Sequence, residues 1–470
     1  MAEETKTMEL EVENASFMLD KLGQDCEPLQ FLREITENAV QAVRATPAGR
    51  GEVIWDLDWV SFDADGLVKL CCIDTGVGMS GDELKRYINH LAASRHEQRL
   101  DGNYGVGAKV AAATRNPEGM VYLSWKEGRG SMIQLWRDPA THKWGLKQFH
   151  LGDGVYDHCV PLDDAVKPEP LQGLDHGTVV VLLGDSPEAN TMEPVAGVDN
   201  RSKWIAKYLN QRYFRFPADV ELKVREHWDA RRPDRGRGYL RRVHGQQHYL
   251  QRHSIVHDTL LLTGARAHWW ILDEHHAERA KEATWASTGH RAALYQDELY
   301  ELIPPSRGGY QRVQEFGVRF GYARVVIYVE PQADTERLSA RIDRSDLRLD
   351  GQPLPWTTWA EEFASNLPAP IRELEEEIAA GSTRDDHRQS IQDRLRPLRH
   401  LFRLSRYRPA ERGSERLGLT DMGGRAAPHK RESAGEAEAV PPSPRCFNHQ
   451  RGHAARRSRA SPGRILIGYP

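Results

Sequence analysis

The chain of 470 residues holds no run of eighteen apolar residues, which excludes a helical membrane span. Cysteine is scarce: Cys26, Cys71, Cys72, Cys159 and Cys446 are odd in number and scattered, so neither a disulfide framework nor structural-zinc spacing exists. That usage suits a reducing, cytoplasmic setting. The first fourteen residues, MAEETKTMELEVEN, are acidic and lack the apolar stretch of a secretory leader. There is no internal repeat. Hydrophobic residues make up 39% and charged residues 28%, an ordinary composition with enough apolar matter for a sizeable core and a length that suits two or three domains.

The net charge of -4 conceals an asymmetry. Residues 394–470 hold 17 Lys+Arg against 6 Asp+Glu, while the remainder holds 47 against 62. An acidic body thus carries a basic tail. Such a tail suits contact with a polyanion, and its Arg/Gly/Pro/Ala/Ser-rich composition equally suits a solvated, disordered end over about 401–470.

Apolar residues at Leu29, Leu32, Ile35, Ala39 and Val43 predict a helix over 28–43, stopped by Thr46-Pro47-Ala48-Gly49. Strands are expected over Glu52–Val60 and Leu67–Ile73, parted by a turn at 63–66. Ser80 and Glu83 form a capping box for a helix running to about Leu91. A helix over Ala108–Ala113 follows, then strands at Met120–Trp125, Met132–Arg137, Trp144–His150 and Thr178–Leu183, and a helix at Trp204–Tyr213. Few strand–helix–strand alternations occur, so a largely antiparallel sheet covered by helices on one face is expected. A second α+β region over 221–400 is expected to hold strands Val220–Val224, Thr259–Leu262, His268–Leu272, Gly317–Phe320 and Val325–Val329. Its expected helices are His276–Ala283, Ala292–Leu302, Thr358–Ser365 and a charged one reaching about His400.

Three short motifs carry chemistry. In the first, Glu34 and Asn38 stand one turn apart on one helix face. A carboxamide oxygen suits a hard cation such as Mg²⁺, and a carboxylate can orient and deprotonate water. Taken alone, the pair is also what a solvated amphipathic helix presents. In the second, Asp74-Thr-Gly76-Val-Gly78-Met79 follows an apolar run, placing Asp74 at a strand end. A buried carboxylate there can accept from an exocyclic amine such as that of adenine, and glycines admit a flat ligand. The third, Gly102-Asn-Tyr-Gly105-Val106-Gly107-Ala108-Lys109, leads into a helix whose free amides can cradle phosphate. It is neither a P-loop, because Ala108 separates Gly107 from Lys109, nor a dinucleotide fingerprint, because the preceding segment is polar. Asn38 and Asp74 are 36 positions apart, and Asp74 and Gly105 are 31 apart.

In that order and spacing the set resembles the GHKL ATPase superfamily, which comprises the DNA gyrase B subunit, the ninety-kilodalton heat-shock chaperone, sensor histidine kinases and MutL. The resemblance covers about residues 20–220. It implies the Bergerat fold, a two-layer α/β sandwich with ATP between helices and sheet. It further implies Glu34 as general base, Asn38 as ligand to Mg²⁺ and nucleotide, and Asp74 as the adenine-reading carboxylate beside Gly76, Gly78 and Met79. Gly105, Val106, Gly107, Ala108 and Lys109 would surround the phosphates. His176-Gly177-Thr178-Val179-Val180 is similar to the family's late Gly-Thr strand, in which Thr178 supports Asp74. Gln41 stands where many members carry Asp.

N-terminal placement together with Glu34 resembles the gyrase, chaperone, MutL and MORC branches, which hydrolyse ATP. The resemblance implies a transducer-like second domain over 221–400 that lends a cation to the γ-phosphate, with Lys281, Arg341 and Arg344 as candidates. It also implies a lid that closes on ATP and a nucleotide-dependent homodimer. Two other outputs stay open: an ATP-sensing interaction module with little hydrolysis, and an ATP-gated clamp on nucleic acid or a protein client.

Overall fold

A computed structural model gives the fold and describes residues 15–89, 107–196, 198, 201–230, 235–275, 284–333, 337–341 and 344–382. The compact unit described below runs to Ala379; of a second unit, Ala380–Ile467, residues 380–382 are described. The basic tail, the helix expected at 276–283 and the extension to about His400 lie outside the described residues.

The first layer contains helices α1 (Ala15–Gln24), α2 (Gln30–Arg44), α3 (Trp59–Asp65), α4 (Gly81–Asn89), α5 (Gly107–Ala113) and α6 (Trp204–Arg212). Its strands are β1 (Gly51–Leu57), β2 (Leu70–Asp74), β3 (Gly119–Lys126), β4 (Arg129–Arg137) and β5 (Trp144–Leu146). Short β6 (Phe149–His150), β7 (Tyr156–Asp157) and β8 (Val160–Leu162) follow, then β9 (Gly177–Gly184), β10 (Val220–Arg225) and β11 (Leu240–Val243). The sheet order is β11-β10-β1-β2-β9-β3-β4-β5, with β8 beside β4. All these pairings are antiparallel except β1 with β10.

Alternation along each strand sorts the residues into two cores. Val53, Trp55, Leu70, Cys72, Tyr122, Val180 and Leu182 face Leu32, Ile35, Ala39 and Val43 of α2 and the alanines of α5. Ile54, Cys71, Ile73, Leu123, Val179 and Val181 face the opposite way, under the 149–174 excursion. Burying each leucine, isoleucine or valine of α2 contributes roughly 1.5–3 kcal/mol, which fixes the helix against the sheet. The expected helix-covered, mostly antiparallel sheet is therefore present, with a second cover of short strands and turns.

The second layer contains α7 (Gln246–His253), β12 (Ser254–Leu262), β13 (Ala265–Leu272), β14 (His290–Tyr295), β15 (Glu298–Tyr300), α8 (Gly309–Gln314) and β16 (Val325–Pro331). A small sheet of β17 (Leu338–Ala340), β18 (Leu347–Leu349) and β19 (Gln352–Pro353) precedes α9 (Trp356–Ser365) and α10 (Ala369–Ser382). The main sheet runs β12-β13-β16-β14-β15. Val313, Phe316, Trp359, Phe363, Ile371 and Leu374 cover one face, and Phe214, Tyr249 and Leu250 cover the other.

Several expectations need correction. The segment Glu52–Val60 does not stay extended: the strand ends at Leu57, and Asp58 caps α3 by accepting from the Ser61 amide. The turn at 63–66 is the end of that helix, closed by Gly66. Ala292–Leu302 is a β-hairpin rather than a helix, because Gln296 and Asp297 both take positive φ (50° and 63°) and reverse the chain in two residues. Gly317–Phe320 is a turn, started by Gly317 at φ 87°. Trp144–His150 divides into two short strands. The strand at Val220 belongs to the first sheet, which continues through Val243, so the boundary expected near 220 falls inside that sheet.

Candidate functional site

Asp74, Thr178 and Ser124 stand in one rung across three neighbouring strands: Asp74 is opposite Thr178 in β2–β9, and Thr178 is opposite Ser124 in β9–β3. Each lies two residues along from an apolar residue of the helix-facing core, so the rung is the polar end of that face. Asp74 is buried, and its Oδ1 accepts the Gly76 amide at 2.9 Å. Burial without a charged partner pushes its carboxyl up to about 7, against the pull of that amide. Thr178 Oγ1 and Ser124 Oγ are 2.9 Å apart, and Ser124 Oγ also accepts the Met79 amide at 2.8 Å. Ser124 carries no sequence signal beyond its place in a strand, and its role was not legible there.

The loop after Asp74 turns back onto α2. The Val77 amide donates to the Ala42 carbonyl at 3.2 Å, and His176 Nδ1 lies 2.7 Å from the Gly76 carbonyl. Gly78 takes φ 63°, and a Cβ there would lie 1.8 Å from the Trp125 carbonyl oxygen. Only glycine meets both conditions. At the other end of α2, Gly107 opens α5 against Glu34; a Cβ at 107 would lie 2.0 Å from Glu34 Oε2.

Glu34, Asn38 and Ala42 lie at successive i, i+4 positions, a stripe about 12 Å long at the helical rise of about 1.5 Å per residue. One glycine motif touches its Glu34 end and the other its Ala42 end, with Asn38 exposed between them. The three motifs, separated by up to 75 positions in sequence, therefore meet along one helix face. Ala108 and Lys109 are both buried in α5. Lys109 does not extend into solvent: Nζ donates to the Tyr87 carbonyl at 2.6 Å, and desolvation lowers its ammonium to about 8. Gly105 and Val106 lie outside the described residues.

The Glu34 carboxylate is 1% exposed. Its Oε1 accepts Arg33 Nη1 at 3.0 Å and lies 3.8 Å from Arg344 Nε, while Oε2 has no hydrogen-bond partner among the described residues. A buried carboxylate oxygen left without a donor is costly unless something completes it, so this atom suits a water or a ligand. Of the second-region cations, Arg344 is buried beside Glu34, Arg341 is half-exposed and pairs with Asp346 at 3.6 Å, and Lys281 lies outside the described residues.

A cavity of about 340 Å³ lies on the opposite face of the sheet, lined by Ile54, Cys71, Trp59, Lys167 and Arg225 among others. It touches none of Glu34, Asn38 or Asp74, and of its five carboxylates Glu52, Asp56 and Asp63 are paired with Lys223, Arg225 and Arg235. The motif chemistry lies on the other, helix-facing side of the sheet. No helix among the described residues is long and apolar enough to cross a membrane.

Comparison with protein families matches residues 32–151 to the histidine kinase-, DNA gyrase B- and HSP90-like ATPases. No curated protein matches the chain. The matched segment contains α2 with Glu34 and Asn38, the Asp74 loop and the start of α5, and the match supports ATP binding there. The N-terminal part of this chain is a GHKL-type ATP-binding domain of the histidine kinase, gyrase B and HSP90-like ATPase family.

Proposed function

We propose that the chain is a Mg²⁺-dependent ATPase whose nucleotide lies along the α2 stripe, adenine at the Asp74 end and γ-phosphate at the Glu34 end. The observation that carries this reading is the buried Glu34 Oε2, without a hydrogen-bond partner among the described residues and standing against Gly107, at the far end of the stripe from Asp74. A stretched purine triphosphate is comparable in length to the stripe.

In this reading the second oxygen of Asp74 accepts the exocyclic amine, because Oδ1 is already used by the Gly76 amide. Thr178 and Ser124 hold the rung beside it, and Gly76, Gly78 and Met79 let backbone approach the ring. Asn38 offers its amide oxygen to Mg²⁺. Among the described residues no three His, Cys, Asp or Glu side chains converge as a metal site, so phosphate oxygens and water would complete the ion's shell. Mg²⁺, when bound, supplies charge neutralisation at the phosphates. Amides of the Gly105–Lys109 segment hold the phosphate chain. Glu34 Oε2 orients a water and takes its proton as the water oxygen attacks the γ-phosphorus, while the bond to the β–γ bridging oxygen breaks and ADP leaves with that electron pair. Arg344 is the second-region cation nearest this point. Closure of a lid over ATP and pairing of two copies complete the proposed cycle.

The test is turnover and binding measured together. Glu34→Gln should lose at least about 100-fold in turnover, in the range of a general base, and keep ATP affinity within about threefold. Turnover at the original rate in that variant contradicts the assignment.

A further inference from the structure

Glu298, on β15, faces two guanidinia at once. Its Oε1 accepts Arg33 Nε at 3.0 Å and Nη2 at 2.5 Å, and its Oε2 accepts Arg212 Nε at 3.0 Å and Nη2 at 2.8 Å. All three side chains are at least nine-tenths buried. Arg33 is also the residue that donates Nη1 to Glu34. One guanidinium from α2 is thus shared between two carboxylates, one beside it in sequence and one 265 positions away.

The division is unequal. Glu298 occupies the Nε–Nη2 edge of Arg33, the edge that forms the paired, fork-like bond with a carboxylate. Glu34 receives a single bond on Oε1, and its Oε2 stays unpartnered among the described residues. Without Glu298, the Arg33 fork would be left to the two carboxylates that remain beside it, Glu34 and Glu37, and Glu34, already bonded to Nη1, is placed to take it on both oxygens. A base held that way is less basic and has no lone pair aimed at water.

We propose that Glu298 is a positioning residue for Glu34: it holds the Arg33 fork so that the buried Oε2 of Glu34 is left without an arginine partner and can take a bound water. The proposal rests on the reading of Glu34 as the hydrolytic base. Glu298 is placed by the β14–β15 hairpin, whose tip docks on the first layer: the Phe214 amide donates to the Asp297 carbonyl at 2.7 Å, and Arg215 Nε bonds Asp297 Oδ1 at 2.7 Å. Openness of the base therefore depends on where the second sheet stands. A shift that withdraws Glu298 releases Arg33 onto Glu34.

The charged and titratable groups around this pair are Arg33 and Glu37 from α2, Tyr208 and Arg212 from α6 with Tyr213 at its end, Tyr300 from β15, and Arg344. Burial by itself raises the Glu298 carboxyl, but Arg33 and Arg212 outweigh it and hold it at about 2, so it is ionised at any working pH.

The test measures kcat, ATP affinity and the pH profile of kcat in the full chain, for the unaltered protein, Glu34→Gln, Glu298→Gln, Arg33→Gln and the Arg33→Gln/Glu298→Gln double variant. Glu298→Gln should lower kcat at least about tenfold, keep ATP affinity within about threefold, and move the acidic limb of the profile to lower pH by about one unit. On the Arg33→Gln background the same change should alter kcat less than about twofold, because the effect travels through Arg33. If Glu298→Gln does not fold, Glu298→Asp keeps the charge, shortens the reach and should move kcat and the limb the same way by a smaller factor. An unaltered kcat and profile in the folded Glu298 variant overturns the proposal, as does a full loss that persists on the Arg33→Gln background. Normal turnover in Glu34→Gln, or none in the unaltered chain, instead overturns the reading of Glu34 and this proposal with it.

Discussion

Gly107 stands so close to Glu34 that a Cβ on it would lie 2.0 Å from Oε2. The first residue of α5 and the carboxylate on α2 are therefore in direct contact, and any side chain at 107 must displace the carboxylate. Gly107→Ala is expected to lower turnover about 100-fold, the scale on which a displacement of about 1 Å acts. Steady-state ATPase measurements on the folded variant check this.

On the proposed reading, Asp74 sets the pH dependence of nucleotide binding. Burial raises its carboxyl from 3.8 to about 7, so below that pH the empty site holds it protonated. An adenine amine needs the ionised form as acceptor. ATP affinity should therefore fall about tenfold per pH unit below about 7 and level off above 8. Asp74→Asn should bind ATP weakly with no such slope. Calorimetry between pH 5 and 8.5 checks both.

The same shift has a consequence for stability. A carboxyl with a folded value above its unfolded one favours the fold most below about pH 4, and that contribution is lost as pH rises through about 7. Its size is about 4 kcal/mol at most. Asp74→Asn should flatten the decline of nucleotide-free stability between pH 4 and 7, as read from denaturant midpoints.

At Gly78 both the φ of 63° and the Trp125 carbonyl oppose a side chain. Backbone rather than a flexible group would have to move. Gly78→Ala should cost about 2 kcal/mol or more and weaken ATP binding. Ser124→Ala removes the acceptor of the Met79 amide and the Thr178 partner, and should cost about 1–2 kcal/mol. Thermal or chemical unfolding, with and without ATP, separates the two effects.

What the sequence disclosed follows from how local the signals are. The α2 helix was readable because Leu32, Ile35, Ala39 and Val43 repeat at helical spacing and bury on the sheet. The Ser80–Glu83 capping box was readable because both its bonds lie within four residues. The 290–300 hairpin was not: its strands carry Ala, Leu and Glu, which favour helix, and its tight turn rests on positive φ at Gln296 and Asp297 without glycine. Of the proposed site, Glu34, Asn38, Asp74 and the glycines announce themselves by residue type and spacing. Arg33 and Glu298 do not, since their pairing spans 265 positions and exists only once the second sheet is in place. Ser124 is likewise hidden, because its rung with Thr178 and Asp74 depends on strand register.

The most direct test of the whole account is a crystal structure with Mg²⁺ and a non-hydrolysable ATP analogue. The adenine amine is expected within hydrogen-bond distance of Asp74, the metal at Asn38, and the terminal phosphate beside Gly107 and Glu34. Nucleotide density in the cavity on the other face of the sheet, with the α2 stripe vacant, would contradict it.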